Sequence, residues 1–333
     1  MKFNQILTCI VSAASISLAA TSVSAADLTP AFQQLYSQGQ SLPDNEQTLL
    51  KGFDIYLVPG IMSESFLDDD GRSKFSFAFA TGEYLEAQRR ILTEKYGFAV
   101  KRLPSSSRSP EEIRHNIRSA LADSRLVGRK AVFMVHSLAG LALLEELVTN
   151  PQEQAQVAGV IFFQSPLRGT PLADLYLQSP FSFEFFLRPL LPFLNVSEET
   201  LRYLGTQSRA PFMKAQATSI SQLVAKVPVL TVAGVANGFT SIFQPLVNVM
   251  ADGCLQSKYG ICVVPILFEG PYDLSDGLVP LESTKIENAD QVVLLGADHG
   301  ETILTLPFNT YNRGRATEAL FSLLAKKITA AAP

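Results

Sequence analysis

The chain has 333 residues, 47% of them hydrophobic and 17% charged, which is enough apolar material for a large buried core. A net charge of −4 with scattered basic residues excludes the electrostatic footprint of a nucleic-acid-binding protein. Three histidines and three cysteines form no cluster with zinc-site spacing, so no metal is expected.

Residues 1–25 carry one lysine, then an apolar stretch of Ile, Leu and Ala, then Val23, Ser24 and Ala25. Small residues at −3 and −1 mark an export signal cleaved after Ala25, so the mature chain is expected to be periplasmic or secreted. The apolar stretch is short and broken by Ser and Thr, which argues against a spanning helix. Export places Cys254 and Cys262 in an oxidising compartment. Separated by the short loop LQSKYGI, they are expected to form a disulfide.

From residue 26 to 333 the pattern is that of one domain. Polar residues 26–50 read as an arm or helix, and FDIYLV (53–58) is a short buried strand ending at Pro59 and Gly60. A solvated loop with Asp68, Asp69 and Asp70 follows. Helical spacing returns at 82–97, where Tyr84, Leu85, Ile91 and Leu92 share an apolar side. FAVKRL (98–103) is the next strand and 109–124 the next helix, with Ser109 as N-cap and Pro110 at its first position. The strand KAVFMVH (130–136) runs through Ser137 into the helix LAGLALLEELVTN. Further strands are expected at 157–163, 227–234 and 291–295, and a last helix at about 317–327.

Continuous apolar strands alternating with helices predict an α/β fold, a mostly parallel sheet with helices on both faces. The alternation breaks at about 171–222. There the segment LQSPFSFEFFLRPLLPFL packs five phenylalanines and five leucines into 18 residues, too long and too apolar for a simple connection.

In such a sheet ligands bind at the carboxyl ends of the strands. Past those ends stand Gly60, then His136 and Ser137, then Gln164 and Ser165, and late in the chain Asp276 and His299. A serine hydroxyl is a weak nucleophile unless a base lies within hydrogen-bond reach and an acid fixes that base's tautomer. His115 sits within a helix, and His136 adjoins the serine on a turn where neighbours point apart, which leaves His299 as the base. For the acid, Asp298 and Glu301 stand too close in sequence to reach the far ring nitrogen. Asp276 is preferred because Gly277 permits a sharp turn beneath it, with Asp273 as the remaining rival. An oxyanion forming on the attacked carbon needs two backbone N–H donors. Leu138, first in the helix after the serine, supplies one. The loop after the first core strand supplies the other, from Ile61 or next from Met62.

Six segments resemble the α/β-hydrolase superfamily, and within it exported bacterial lipases and esterases. VHSLAG resembles the serine elbow, LVPGIM the strand with its oxyanion loop, and SPLRGTPLADL and LRYLGTQSRAPF the segments on either side of a lid. DGLVP and ADHG resemble the acid and histidine loops. Together they cover most of residues 53–305. Three positions depart from the family pattern: Val135 and Ala139 replace the two elbow glycines, and Pro59 the usual histidine before Gly60. The resemblance implies an α/β-hydrolase fold with a helical lid or cap at about 171–222. It also implies carboxylic-ester hydrolysis through an acyl-enzyme on Ser137, with Asp276 and His299 and no cofactor. The alternatives it leaves open are an acyltransferase, a phospholipid or polyester hydrolase, and a silent relative that binds a lipid or a partner. If segment 178–194 is a lid, it favours a greasy ester and transient contact with a lipid surface; no stable protein partner is expected.

Overall fold

A computed structural model describes residues 25–61, 84–106, 109–178, 196–236, 254–256, 262–265, 274–304 and 311–332. Residues 1–24 of the expected leader, the triple-aspartate loop, Met62, Asp273 and most of segment 178–194 lie outside the described residues.

Six strands make the central sheet: β1 (Phe53–Val58), β2 (Ala99–Arg102), β3 (Lys130–His136), β4 (Val157–Phe163), β5 (Val229–Val235) and, late in the chain, Asp290–Leu295. A separate antiparallel ribbon precedes the last of these, with β6 (Cys254–Gln256) and β7 (Cys262–Pro265) pairing Cys262 with Gln256. The cysteine side chains, and with them the expected disulfide, lie outside the described residues. Taking Asp290–Leu295 as β8, the sheet order is β2-β1-β3-β4-β5-β8 and every pairing in it is parallel.

Strand side chains alternate between the two faces, so each apolar run feeds two cores. Ile55, Leu57, Val132, Met134, Ile161 and Phe163 pack on one face with Phe32, Leu50, Leu92, Phe321 and Leu324. Tyr56, Val58, Phe133, Val135, Val160 and Phe162 pack on the other with Ile113, Ile117, Leu121, Leu141 and Leu144. The helices on the first face are α1 (Thr29–Gln38), α2 (Asp44–Lys51) and the C-terminal Arg313–Ala331. The last is longer than its apolar pattern predicts, because the Asn312 side chain caps it by accepting from the Arg315 N–H at 3.0 Å and its buried stripe continues to Ile328.

The expected helix at 82–97 is reshaped by tertiary contacts. α3 spans only Glu86–Arg90 and continues as a π turn, Ile91–Lys95. Leu85 before it is left-handed, with φ 56°, and its N–H donates to the Ile303 carbonyl at 3.1 Å. A long-range backbone bond thus outweighs the local tendency to start the helix earlier. The opposite holds for α4 (Pro110–Leu126), where local signals suffice: the Ser109 hydroxyl accepts from the Glu112 N–H at 3.3 Å and Pro110 opens the helix.

Between β4 and β5 the chain inserts helices Pro171–Gln178, Glu198–Leu204, Thr206–Ala215 and Ala217–Lys226. Asp174 ties the first to the third, accepting from the Thr206 N–H at 2.9 Å and its hydroxyl at 2.6 Å. Among the described residues no helix is long and apolar enough to cross a membrane. The strand order reverses between β1 and β3, so their carboxyl ends leave a crevice, the place where open α/β sheets bind ligands.

Candidate active site

Ser137 lies at the mouth of that crevice, between β3 and the helix α5 (Leu138–Thr149). Its backbone is held at φ 55°, ψ −126°, a strained setting for a side-chain-bearing residue that lifts the hydroxyl out of the strand-to-helix turn. The Ser137 N–H is anchored to the Phe163 carbonyl at 3.1 Å. As first residue of α5, Leu138 presents a backbone N–H with no partner inside its own helix.

The loop after β1 presses directly on the serine. A Cβ at Gly60 would come within 2.6 Å of the Ser137 Cβ and 2.9 Å of the His136 carbonyl oxygen. Only glycine allows that approach, and Ile61 follows it directly in the chain. Val135 and Ala139 are both fully buried in the core of the α5 face. The tight contact of the elbow falls instead at Gly140, where a Cβ would meet the Ser165 Oγ at 2.0 Å. Gly140 is the last residue of the VHSLAG segment, and there the packing against Ser165 leaves no room for a side chain.

His299 and Asp276 are joined by a 2.8 Å hydrogen bond between Nδ1 and Oδ2. A second bond runs from the His299 N–H to the Asp276 carbonyl at 3.0 Å. Both side chains are almost wholly buried, and every contact to the Asp276 carboxylate is a donor. Its Oδ1 accepts from the N–H groups of Leu278 at 3.0 Å and Val279 at 2.7 Å, and its Oδ2 also accepts from Gln164 Nε2 at 2.9 Å. Gly277 makes this wrap possible, with φ 95°. The other acids of the loop are occupied locally: Asp298 Oδ1 accepts from the Gly300 and Glu301 N–H groups, and Glu301 accepts from the Asp298 N–H.

Gln164 was visible in the sequence only as a polar residue past β4. It sits left-handed, with φ 47°, and spans Asp276 and the Asp298 carbonyl, while the Thr302 hydroxyl donates to its Oε1. Gly234 makes room for it, since a Cβ there would lie 2.3 Å from Gln164 Nε2. The histidine loop is braced from its other side as well, where Gln88 Nε2 donates to the Thr302 carbonyl at 2.7 Å.

Of the two histidines set aside, His115 is exposed on α4, whereas His136 lies inside the site. The His136 ring is fully buried, 4.5 Å from the His299 ring between centroids, and its Nδ1 meets the Tyr84 hydroxyl at 2.7 Å. Burial first, and the nearby His299 second, push His136 well below the ordinary histidine range; the Gln164 side chain and the His299 backbone act weakly the other way. Neither comes within hydrogen-bond geometry of the buried Nε2. Ser137 Oγ and His299 share no hydrogen bond in this structure, and His136 is the residue that brings the two segments together.

A neutral buried histidine has a signed consequence for stability. Below about pH 6.5 the unfolded chain takes up a proton at this position that the folded chain refuses. Its contribution is therefore intact above that pH and is lost as pH falls toward the depressed folded value, by up to about 1.4 kcal/mol per pH unit. Urea unfolding of wild type and His136→Asn between pH 7 and pH 5 is expected to show the wild-type advantage shrinking on acidification. A gap constant with pH would show that His136 is not held neutral.

No protein-family model matches the sequence, and no curated protein matches it as a relative. Solved structures do match. The metagenomic carboxyl esterase MGS0156 superposes with a TM-score of 0.60 at 20% identity, over 83% of this chain and 76% of that one. The mature form of the Bacillus licheniformis lipase BlEst2 superposes with a TM-score of 0.53 at 17% identity, over 75% of this chain and 86% of that one. With an all-parallel sheet, a serine at the strained turn after β3 and a late histidine loop at the same edge, the chain has the α/β-hydrolase fold.

Proposed function

We propose that this protein hydrolyses carboxylic esters through an acyl-enzyme on Ser137. In this reading Ser137 Oγ attacks the ester carbonyl carbon while His299 takes its proton. The N–H groups of Leu138 and Ile61 hold the negative oxygen of the tetrahedral intermediate. Its collapse breaks the bond to the alcohol oxygen, which leaves with the proton from His299. Water, deprotonated in turn by His299, then attacks the acyl carbon, and the acid departs as Ser137 recovers its proton. Asp276 keeps His299 protonated at Nδ1, which leaves Nε2 as the acceptor for the serine proton.

The observation that carries this reading is the His299–Asp276 bond at the same sheet edge as a serine held at positive φ. The two structural neighbours are described as a carboxyl esterase and a lipase, which agrees with it. The apolar sequence 178–194, set within the helical insertion, supports an aliphatic acyl chain as the group bound.

A fluorophosphonate tests the reading directly, because phosphorus bonds to an activated serine oxygen as fluoride leaves. The folded wild-type protein is expected to gain one phosphonyl group, mapped by peptide mass to Ser137, and to hydrolyse p-nitrophenyl esters from a short-to-long acyl panel. Folded protein that stays unlabelled, or that is labelled at another serine, would sink the proposal.

A further inference from the structure

We infer that Tyr84 is a positioning residue for the oxyanion loop, its hydroxyl clamped between the Gly60 N–H and His136; the inference rests on the ester-hydrolase reading above. The Gly60 N–H donates to the Tyr84 hydroxyl at 3.1 Å, and the same hydroxyl lies 2.7 Å from His136 Nδ1. All three groups are buried, and burial pushes the Tyr84 hydroxyl strongly upward, so it keeps its proton. In this inference His136 is the tautomer protonated at Nε2, so that its Nδ1 accepts from the Tyr84 hydroxyl.

This bond orients the Pro59–Gly60 peptide, the one directly before the peptide that carries the Ile61 N–H. Gly60 has no side chain to hold its orientation, and its neighbour Ile61 provides the candidate donor to the oxyanion. Binding the Gly60 N–H to Tyr84 sets which way the loop faces, and hence where the next N–H, that of Ile61, is presented. His136 serves as the acceptor that orients the phenol, while its backbone carbonyl packs against Gly60 and its residue leads into Ser137. The clamp thus ties both sources of oxyanion donors, the loop after β1 and the turn at Ser137, to one buried hydroxyl. Nothing in the local sequence of Tyr84 marks this role, since its spacing puts it on an apolar helix face.

A loop-positioning role acts on the tetrahedral state more than on the bound ester. Tyr84→Phe is therefore expected to lower kcat for p-nitrophenyl butyrate by about 10- to 100-fold, with KM within about twofold. Inhibition by phenylboronic acid, which forms a tetrahedral adduct on the serine, is expected to weaken about tenfold or more. His136→Leu removes the acceptor and is expected to reproduce both losses. His136→Asn restores an acceptor near the Nδ1 position and is expected to recover most of them, and Tyr84→Phe with His136→Leu should be no worse than either alone. Recovery by His136→Asn separates positioning from general damage to the fold, which would leave all three variants impaired alike. Wild-type-like kcat and boronate affinity in Tyr84→Phe, a rise in KM alone, or no recovery in His136→Asn each overturns the inference. If the wild-type protein neither turns over the ester nor binds the boronate, the ester-hydrolase reading falls and takes this one with it. If wild type does both and Tyr84→Phe matches it, only the positioning role is lost.

Discussion

Replacing Ser137 by alanine is expected to lower kcat for p-nitrophenyl butyrate by about four to six orders of magnitude with the fold intact. The substitution removes Oγ and little else. The strained backbone at φ 55° is kept, as are the bond from its N–H to the Phe163 carbonyl and the Cβ against which Gly60 packs. Residual rate comes from the backbone donors and from binding, which do not depend on the hydroxyl. KM should move little, because the lost interaction belongs to bond formation. Side-chain-dependent stability should hold or rise slightly, since a mostly buried hydroxyl is removed from a strained turn. Steady-state kinetics beside a thermal melt checks both halves. A Ser137→Ala protein within a hundredfold of wild-type kcat would remove the serine from the mechanism.

Asp276→Asn is expected to cost about 10⁴-fold in kcat at neutral pH through a wrong tautomer at His299. The carboxylate is surrounded by donors: the His299 ring and Gln164 Nε2 on Oδ2, and the Leu278 and Val279 N–H groups on Oδ1. An asparagine must turn its NH₂ toward one pair. Facing the backbone, it opposes two fixed N–H groups; facing His299, it drives the ring proton to the nitrogen that must accept from Ser137. Either orientation leaves buried donors unmatched, so stability is expected to fall by about 1–3 kcal/mol. The comparison variant is Asp298→Asn, whose Oδ1 caps its own turn. Near-wild-type kcat in Asp276→Asn, or an equal loss in Asp298→Asn, would show that the acid has been misassigned.

Some of this site was legible because the signals are local. Buried parallel strands read as unbroken apolar runs, and the expected ranges 53–58 and 157–163 coincide with β1 and β4. The cap at Ser109 and the sharp turn at Gly277 depend on neighbours within three residues, and both appear where the residue types call for them. The preference for Asp276 over Asp298 and Glu301 likewise came from chain geometry; in the structure Asp276 Oδ2 lies 2.8 Å from His299 Nδ1, while Asp298 Oδ1 accepts from N–H groups of its own turn.

Other parts were invisible for an equally physical reason. Gln164 and Asp276 are 112 residues apart, and Tyr84 and His136 are 52 apart. Bonds of that kind leave no periodicity in the chain. Tyr84 satisfied an apolar helical pattern while its hydroxyl accepts from Gly60, and His136, set aside as the base, packs its ring against that of His299. The need for glycine at 140 was likewise hidden, because it arises from Ser165 on another strand's end rather than from the turn itself.

The amino-acid sequence by itself determined the alternation of buried strands and helices, the residue at each strand end, and the order serine, aspartate, histidine. Those follow from side-chain hydrophobicity and short-range backbone geometry. Only the tertiary structure decided which strand ends are neighbours, that Gly60 abuts Ser137, and that Gln164, Tyr84 and His136 meet Asp276, Gly60 and His299. Sheet order and close packing set those contacts, and both are properties of the folded chain rather than of any segment of it.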